Sequence, residues 1–165
     1  MRKLMFMVAV FAALFVTVIS GDKNQYVMAQ TARQSMIAGA DNVPEDVRKV
    51  AKDIYVEWKK NVDEKEMYLK DVYFEGKTLV CEFVVEEVLL DGRTMKQDLL
   101  KDFSSEEEFV KMIHDQMIPR NKNQAKRLRY DPLRKNHYNL MYRYVGSRSG
   151  EQIDVVVKYN ELPKE

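Results

Sequence analysis

The chain has 165 residues, with 27 Lys and Arg against 26 Asp and Glu, a formal charge of +1 and a single cysteine. So even a balance argues against nucleic acid as a partner, because a phosphate backbone is met by clustered positive charge. Six glycines and four prolines exclude a collagen-like or low-complexity chain, and one cysteine excludes an internal disulfide.

Arg2 and Lys3 precede an apolar run from Leu4 to Ile19 in which only Thr17 is polar. A basic flank, an apolar core and small residues behind it form the pattern of a secretory signal peptide. Residues 1–20 are therefore read as a signal, cleaved after Ser20; the Val27-Met28-Ala29 context offers a second site after Ala29. No cysteine follows the run, which argues against a lipoprotein. An uncleaved anchor is the alternative, since about 17 apolar residues is the lower limit for crossing a bilayer. Cleavage leaves no stable membrane span, and the expected location is the periplasm or the extracellular space. Residues 21–41 lack sustained periodicity and read as a flexible leader. A single domain is expected over residues 42–162.

The first predicted helix carries Val43, Val47, Val50, Ala51, Ile54, Trp58 and Val62 at steps of three and four, one apolar stripe down one side. Pro44, Glu45 and Asp46 suit its positive end. In MYLKDVYFEGKTLVCEFVVEEVLL two β-rich runs flank Glu75-Gly76, a hairpin in which Phe74 would face Lys77. Period two places Leu79, Cys81, Phe83 and Val85 on the face that helices cover, and Val80, Glu82, Val84 and Glu86 on the other. Cys81 is thus expected in the core, as free cysteine commonly is. A turn is expected at Asp91-Gly92, then an extended piece from Met95 to Leu100.

A second helix opens at Ser104 or Ser105, either of which makes a capping box with the Glu three residues on. Phe109, Met112, Ile113 and Met117 form its buried stripe, and Pro119 ends it. Residues 120–137 hold seven bases against Asp131, among them Arg127, Arg129 and Arg134. They read either as a solvated connector or as a patch for an anionic partner. The last segment makes a hairpin across Gly146 to Gly150, with Leu140, Tyr142 and Tyr144 facing Ile153, Val155, Val157 and Tyr159. The order helix, hairpin, helix, hairpin predicts an α+β fold of two helix–hairpin units, with the helices on one face of an antiparallel sheet.

Familiar chemistry is thin. His114 and His137 have no paired-ligand spacing, so no metal is expected, and no phosphate-cradling glycine loop or nucleophile motif occurs. No cofactor is expected. The second sheet face, with Val80, Val84, Met141, Arg143 and Val156, reads either as an ordinary solvated face with cross-strand ion pairs or as a recognition surface. The segments WKKNVDEKEMYLKDVYFEGKTLVCEF and YNLMYRYVGSRSGEQIDVVVKYNEL resemble those of small exported bacterial proteins of unknown function, in which a helix ending near a Val-Asp pair (Val62-Asp63) precedes a hairpin. At fold level the pattern is also similar to PepSY-type and secreted inhibitor domains. The resemblance implies the fold and the export and brings no site residues. The expectation is an exported binding module acting through the open sheet face or the basic segment, on an envelope or extracellular protein or on itself. The alternative is an enzyme using carboxylates or tyrosines (Tyr138, Tyr142, Tyr144, Tyr159) on an envelope or extracellular substrate.

Overall fold

The computed structural model describes residues 39–61, 66–118 and 130–162. The signal segment, most of the leader, Val62, Pro119, Arg127 and Arg129 lie outside the described residues. Helix α1 spans Glu45–Asn61, strands β1 and β2 span Met67–Glu75 and Thr78–Val85, and a single 3₁₀ turn covers Glu87–Leu89. Helices α2 (Met95–Leu99), α3 (Glu106–Met117) and α4 (Asp131–Lys135) follow, then strands β3 (Asn139–Gly146) and β4 (Gln152–Val157).

The fold is α+β, and the strands form one sheet in the order β1-β2-β3-β4. The two hairpins are antiparallel, but β2 and β3, which join them, run parallel. The sheet is therefore mixed, where the hairpin pattern alone predicts an antiparallel one. The reason lies in the connection between β2 and β3. It is long and carries α2, α3 and α4, and a connection of a dozen or more residues lets a strand return in the same direction. Two tandem units laid side by side would run β3 like β1 and hence against β2. The parallel central pair shows that the chain is not built that way.

Expected apolar stripes enter one core. Val47, Val50, Ala51, Ile54 and Trp58 of α1 meet Leu79, Cys81, Phe83 and Val85 of β2 and the inner residues of β3 and β4 in a single buried cluster. Parallel pairing sets Phe83 opposite Tyr144 and Cys81 opposite Tyr142, so the inner faces of the two hairpins fall in step. Trp58 meets Phe83 edge-on at 5.0 Å, Phe83 stacks on Tyr144 at 5.8 Å, and Phe109 of α3 meets Tyr144 at 6.2 Å. Such contacts each add roughly 0.5–1.5 kcal/mol beyond the area they bury.

Local chemistry moves several boundaries. The first hairpin turns on Gly76-Lys77, with Glu75 opposite Thr78 and Phe74 opposite Leu79, two residues away from the expected register. Gly76 has φ 57° and occupies the first central position, as a type II′ turn requires; Glu75 could not take that place without strain. The expected extended piece at Met95 is instead α2. Thr94 accepts from Gln97 N–H while the Gln97 side chain accepts from Thr94 N–H, a capping box. Ser105 caps α3 by accepting from Glu108 N–H at 3.2 Å, and the Glu108 carboxylate reaches back to Ser104 N–H. The turn at Asp91-Gly92 forms as expected, both residues having positive φ. Strand β4 ends at Val157, so Tyr159 leaves the expected alternation and stacks on His137 at 4.7 Å.

Glu87 does not continue the alternation of β2, which ends at Val85. It turns inward and is 1% exposed. Its carboxylate accepts from Met95 N–H at 2.7 Å, Arg148 N–H at 2.9 Å, Ser149 N–H at 2.7 Å and the Ser149 hydroxyl at 2.7 Å. Burial works against the charge, but these donors outweigh it and hold the carboxyl down at about 2. Gly146 makes room for it: a Cβ there would collide with Glu87 Oε1.

Because the folded value lies below the ordinary carboxyl value of 4.5, the stabilisation is complete above about pH 5 and disappears as pH falls toward 2. The shift corresponds to roughly 3 kcal/mol. Glu87→Gln, which turns an amide N–H toward these donors, should lose about 2–4 kcal/mol at neutral pH. Urea unfolding of both proteins should show the gap narrowing between about pH 5 and pH 2; a gap independent of pH would rule out the carboxylate charge as its source. A second expectation concerns Cys81, which is 0% exposed, with its thiol pushed up to about 12 by burial. It should react with thiol reagents only at the rate of unfolding.

Candidate interaction surface on the open face of the sheet

The helices cover one face of the sheet, and the other displays a connected set of charged groups. Arg143 stands at its centre, on β3 between Glu82 of β2 and Asp154 of β4 in the register. Its guanidinium donates to both carboxylate oxygens of Asp154, at 3.1 and 3.2 Å, and to those of Glu75, at 2.8 and 3.3 Å. It also donates to the Tyr73 hydroxyl at 2.8 Å, and Tyr73 donates to Glu82 Oε2 at 2.9 Å. Lys70 closes the row on Glu82 Oε1 at 2.6 Å, and Gln152 donates to Asp154 at 2.9 Å. A bulge in β1 between Leu69 and Asp71 sets Lys70 out of register, within reach of Glu82.

The electrostatics follow from these contacts. Hydrogen bonds to Asp154 and then Glu75 raise the Arg143 guanidinium still further above its ordinary range. Burial, then the bond to Glu82, pushes the Tyr73 phenol up to about 12. Burial opposes ionisation of Glu82, but bonds from Lys70 and Tyr73 prevail and hold it below the usual carboxylate range. Each of these side chains has a partner within the row, so the surface is ordered by its own contacts.

The expected surface residues divide. Met141 and Arg143 are partly exposed, and Val156 is 38% exposed on the edge strand. Val80 and Val84 are buried, at 0% and 7%. The expected row of exposed valines is therefore broken. The reason is their place on a central strand: Val80 lies between Tyr73 and Met141 in the register, and Val84 between Tyr68 and Val145. Arg134 is bound to Asp131 through Nε at 3.1 Å and Nη2 at 2.5 Å, and Lys135 reaches the same carboxylate. Both bases neutralise the buried Asp131 and hold its carboxyl down, so at this end of the basic segment the charge is spent within the fold.

Tyr138, Tyr142 and Tyr144 lie in the core, 1–4% exposed, rather than at an open site. His114 lies within 3.4 Å of Glu161 and 3.5 Å of Asp115. Among the described residues no three His, Cys, Asp or Glu side chains converge as metal ligands, and no helix is long and apolar enough to cross a membrane. Sequence reading missed Tyr73, Glu75 and Lys70, because their convergence depends on the bulge and on the parallel pairing that brings Arg143 beside β2.

No family model and no curated protein matches the chain. The crystal structure of a Pseudomonas aeruginosa protein, provisionally described as secreted, is similar at 10% identity and a TM-score of 0.41, covering 72% of this chain and 96% of that one. A likeness at this level carries no argument about activity.

Arg143→Met should leave Asp154 and Glu75 without their counter-charge and cost about 2–4 kcal/mol, whereas Glu75→Gln, at the exposed end, should cost less than about 1 kcal/mol. Chemical denaturation of the two variants checks the ordering.

Proposed function

We propose that the chain is exported and acts as a small binding module whose contact surface is the helix-free sheet face centred on Arg143. The observation that carries this reading is the fixed array of Arg143, Tyr73, Glu75, Asp154 and Lys70, bordered by the exposed Val156. Arg and Tyr on rigid strands offer directional bonds at little entropic cost, and both are enriched where proteins meet. Export rests on the Arg2-Lys3 flank and the apolar run to Ile19. The partner is an envelope or extracellular protein. A carboxylate- or tyrosine-based enzyme has less support, because Glu82 and Asp154 are already paired and Tyr138, Tyr142 and Tyr144 are sealed in the core.

A photocrosslinking residue at Met141 or Val156, in a tagged chain expressed from Met1, tests the reading. It expects a discrete adduct from these positions and a mature N-terminus at Gly21 or Gln30. No adduct from either position, while one at exposed Val88 on the 3₁₀ turn captures a partner, would place the contact elsewhere.

A further inference from the structure

Beside the charged row lies an oxidisable atom, the thioether sulfur of Met141. Among the described residues Met67 and Met95 are buried, at 5% and 4%, whereas Met112 and Met141 are partly exposed. A methionine reacts with peroxides through a sulfur lone pair, so exposure decides which ones react. Met112 accepts from Gln116 Nε2 at 2.9 Å, a contact within α3 that involves no charge. Met141 has a different neighbour. It lies between Val80 and Val156 in the register, and its sulfur accepts from Arg143 Nη2 at 3.5 Å.

That nitrogen is oversubscribed. Nη2 has two hydrogens and three acceptors: Asp154 Oδ2 at 3.2 Å, Glu75 Oε2 at 3.3 Å and the Met141 sulfur. A thioether is the weakest of the three and leaves both carboxylates in place. A sulfoxide oxygen is a far stronger acceptor, and three rotatable bonds let it turn toward the guanidinium. Asp154 resists displacement, since Arg143 Nε at 3.1 Å and Gln152 at 2.9 Å also hold it. Glu75 Oε2 makes the longer bond, on a side chain 47% exposed where water can replace it.

We infer that Met141 is an oxidation site whose sulfoxide takes Arg143 Nη2 from Glu75, leaving that pair the single bond through Nη1 at 2.8 Å. The co-reactant is a peroxide. The sulfur lone pair attacks one oxygen of hydrogen peroxide, and the S–O bond forms as the O–O bond breaks. The departing hydroxide takes the proton of the transferred oxygen and leaves as water. Sulfur loses two electrons and the peroxide gains them. The inference does not depend on the outer face meeting a partner.

Brief treatment of the folded chain with hydrogen peroxide, followed by peptide mapping and urea unfolding, tests it. Met141 should gain one oxygen at least about tenfold faster than Met67 and Met95. Glu75→Gln should lower the unfolding midpoint of the untreated chain, and that of the oxidised chain by less than about half as much. Methionine sulfoxide reductases should restore the full difference. In Met141→Leu, which keeps the volume and lacks the sulfur, peroxide should leave the Glu75→Gln loss unchanged. Met141 staying reduced while Met112 is oxidised would overturn the inference. Equal midpoint losses before and after treatment, or a halved loss that persists in Met141→Leu, would do the same.

Discussion

The structure depends on a buried negative charge. Two loops must meet where β2 ends and β3 turns into β4, and both carry backbone N–H groups with no helix or strand to satisfy them. Glu87 supplies one carboxylate to three of those groups and to the Ser149 hydroxyl. Its own N–H is taken by Ser147 Oγ and its carbonyl by Arg148, so the whole residue is absorbed by the junction. An isolated buried carboxylate would cost several kcal/mol. Here its desolvation is offset by groups that would otherwise be orphaned themselves. The parallel placement of β3 beside β2 rests on the same junction, because Ser147 N–H bonds Val85 O next to it.

That placement organises both faces. Inside, it brings Tyr142 and Tyr144 alongside Cys81 and Phe83, so the aromatic cluster bridges the two hairpins rather than staying within either. Outside, it puts Arg143 next to Glu82, near enough to Tyr73 and Glu75 of β1 to tie three strands together through side chains. An antiparallel return of the second hairpin would have matched different residues across the centre, and neither the stack nor the charged row would follow from it.

Legibility in the sequence tracks the range of the interaction. Periodicity announces α1 and the inner faces of all four strands, because burial of one side is written into each segment: Val47, Val50, Ala51 and Ile54 at helical spacing, Leu79, Cys81 and Phe83 at alternate positions. Local capping is equally readable at Ser105, and Thr94-Gln97 carries the same signal, which outweighs the extended reading of Met95 to Leu100. What could not be read was strand order, since nothing in two similar hairpins says which edges join or in which direction. Exposure on the outer face depends on that order. Val80 and Val84 count as exposed if β2 is an edge and as buried once it is central. Glu87 is illegible for a related reason: nothing local marks where the alternation of β2 stops, and its donors lie eight and about sixty residues away.

The charged row limits what the outer face can add to itself. On the face, Arg143 already satisfies two carboxylates and a phenol, so a ligand must either add to that row or displace part of it. Displacing a member costs more than a surface ion pair returns, since Arg143 and Glu82 are largely buried, with side chains 16% and 13% exposed. New contacts are therefore least costly at the exposed ends of the row, Lys70 and Glu75, and at Val156 beside it, and most costly at its centre.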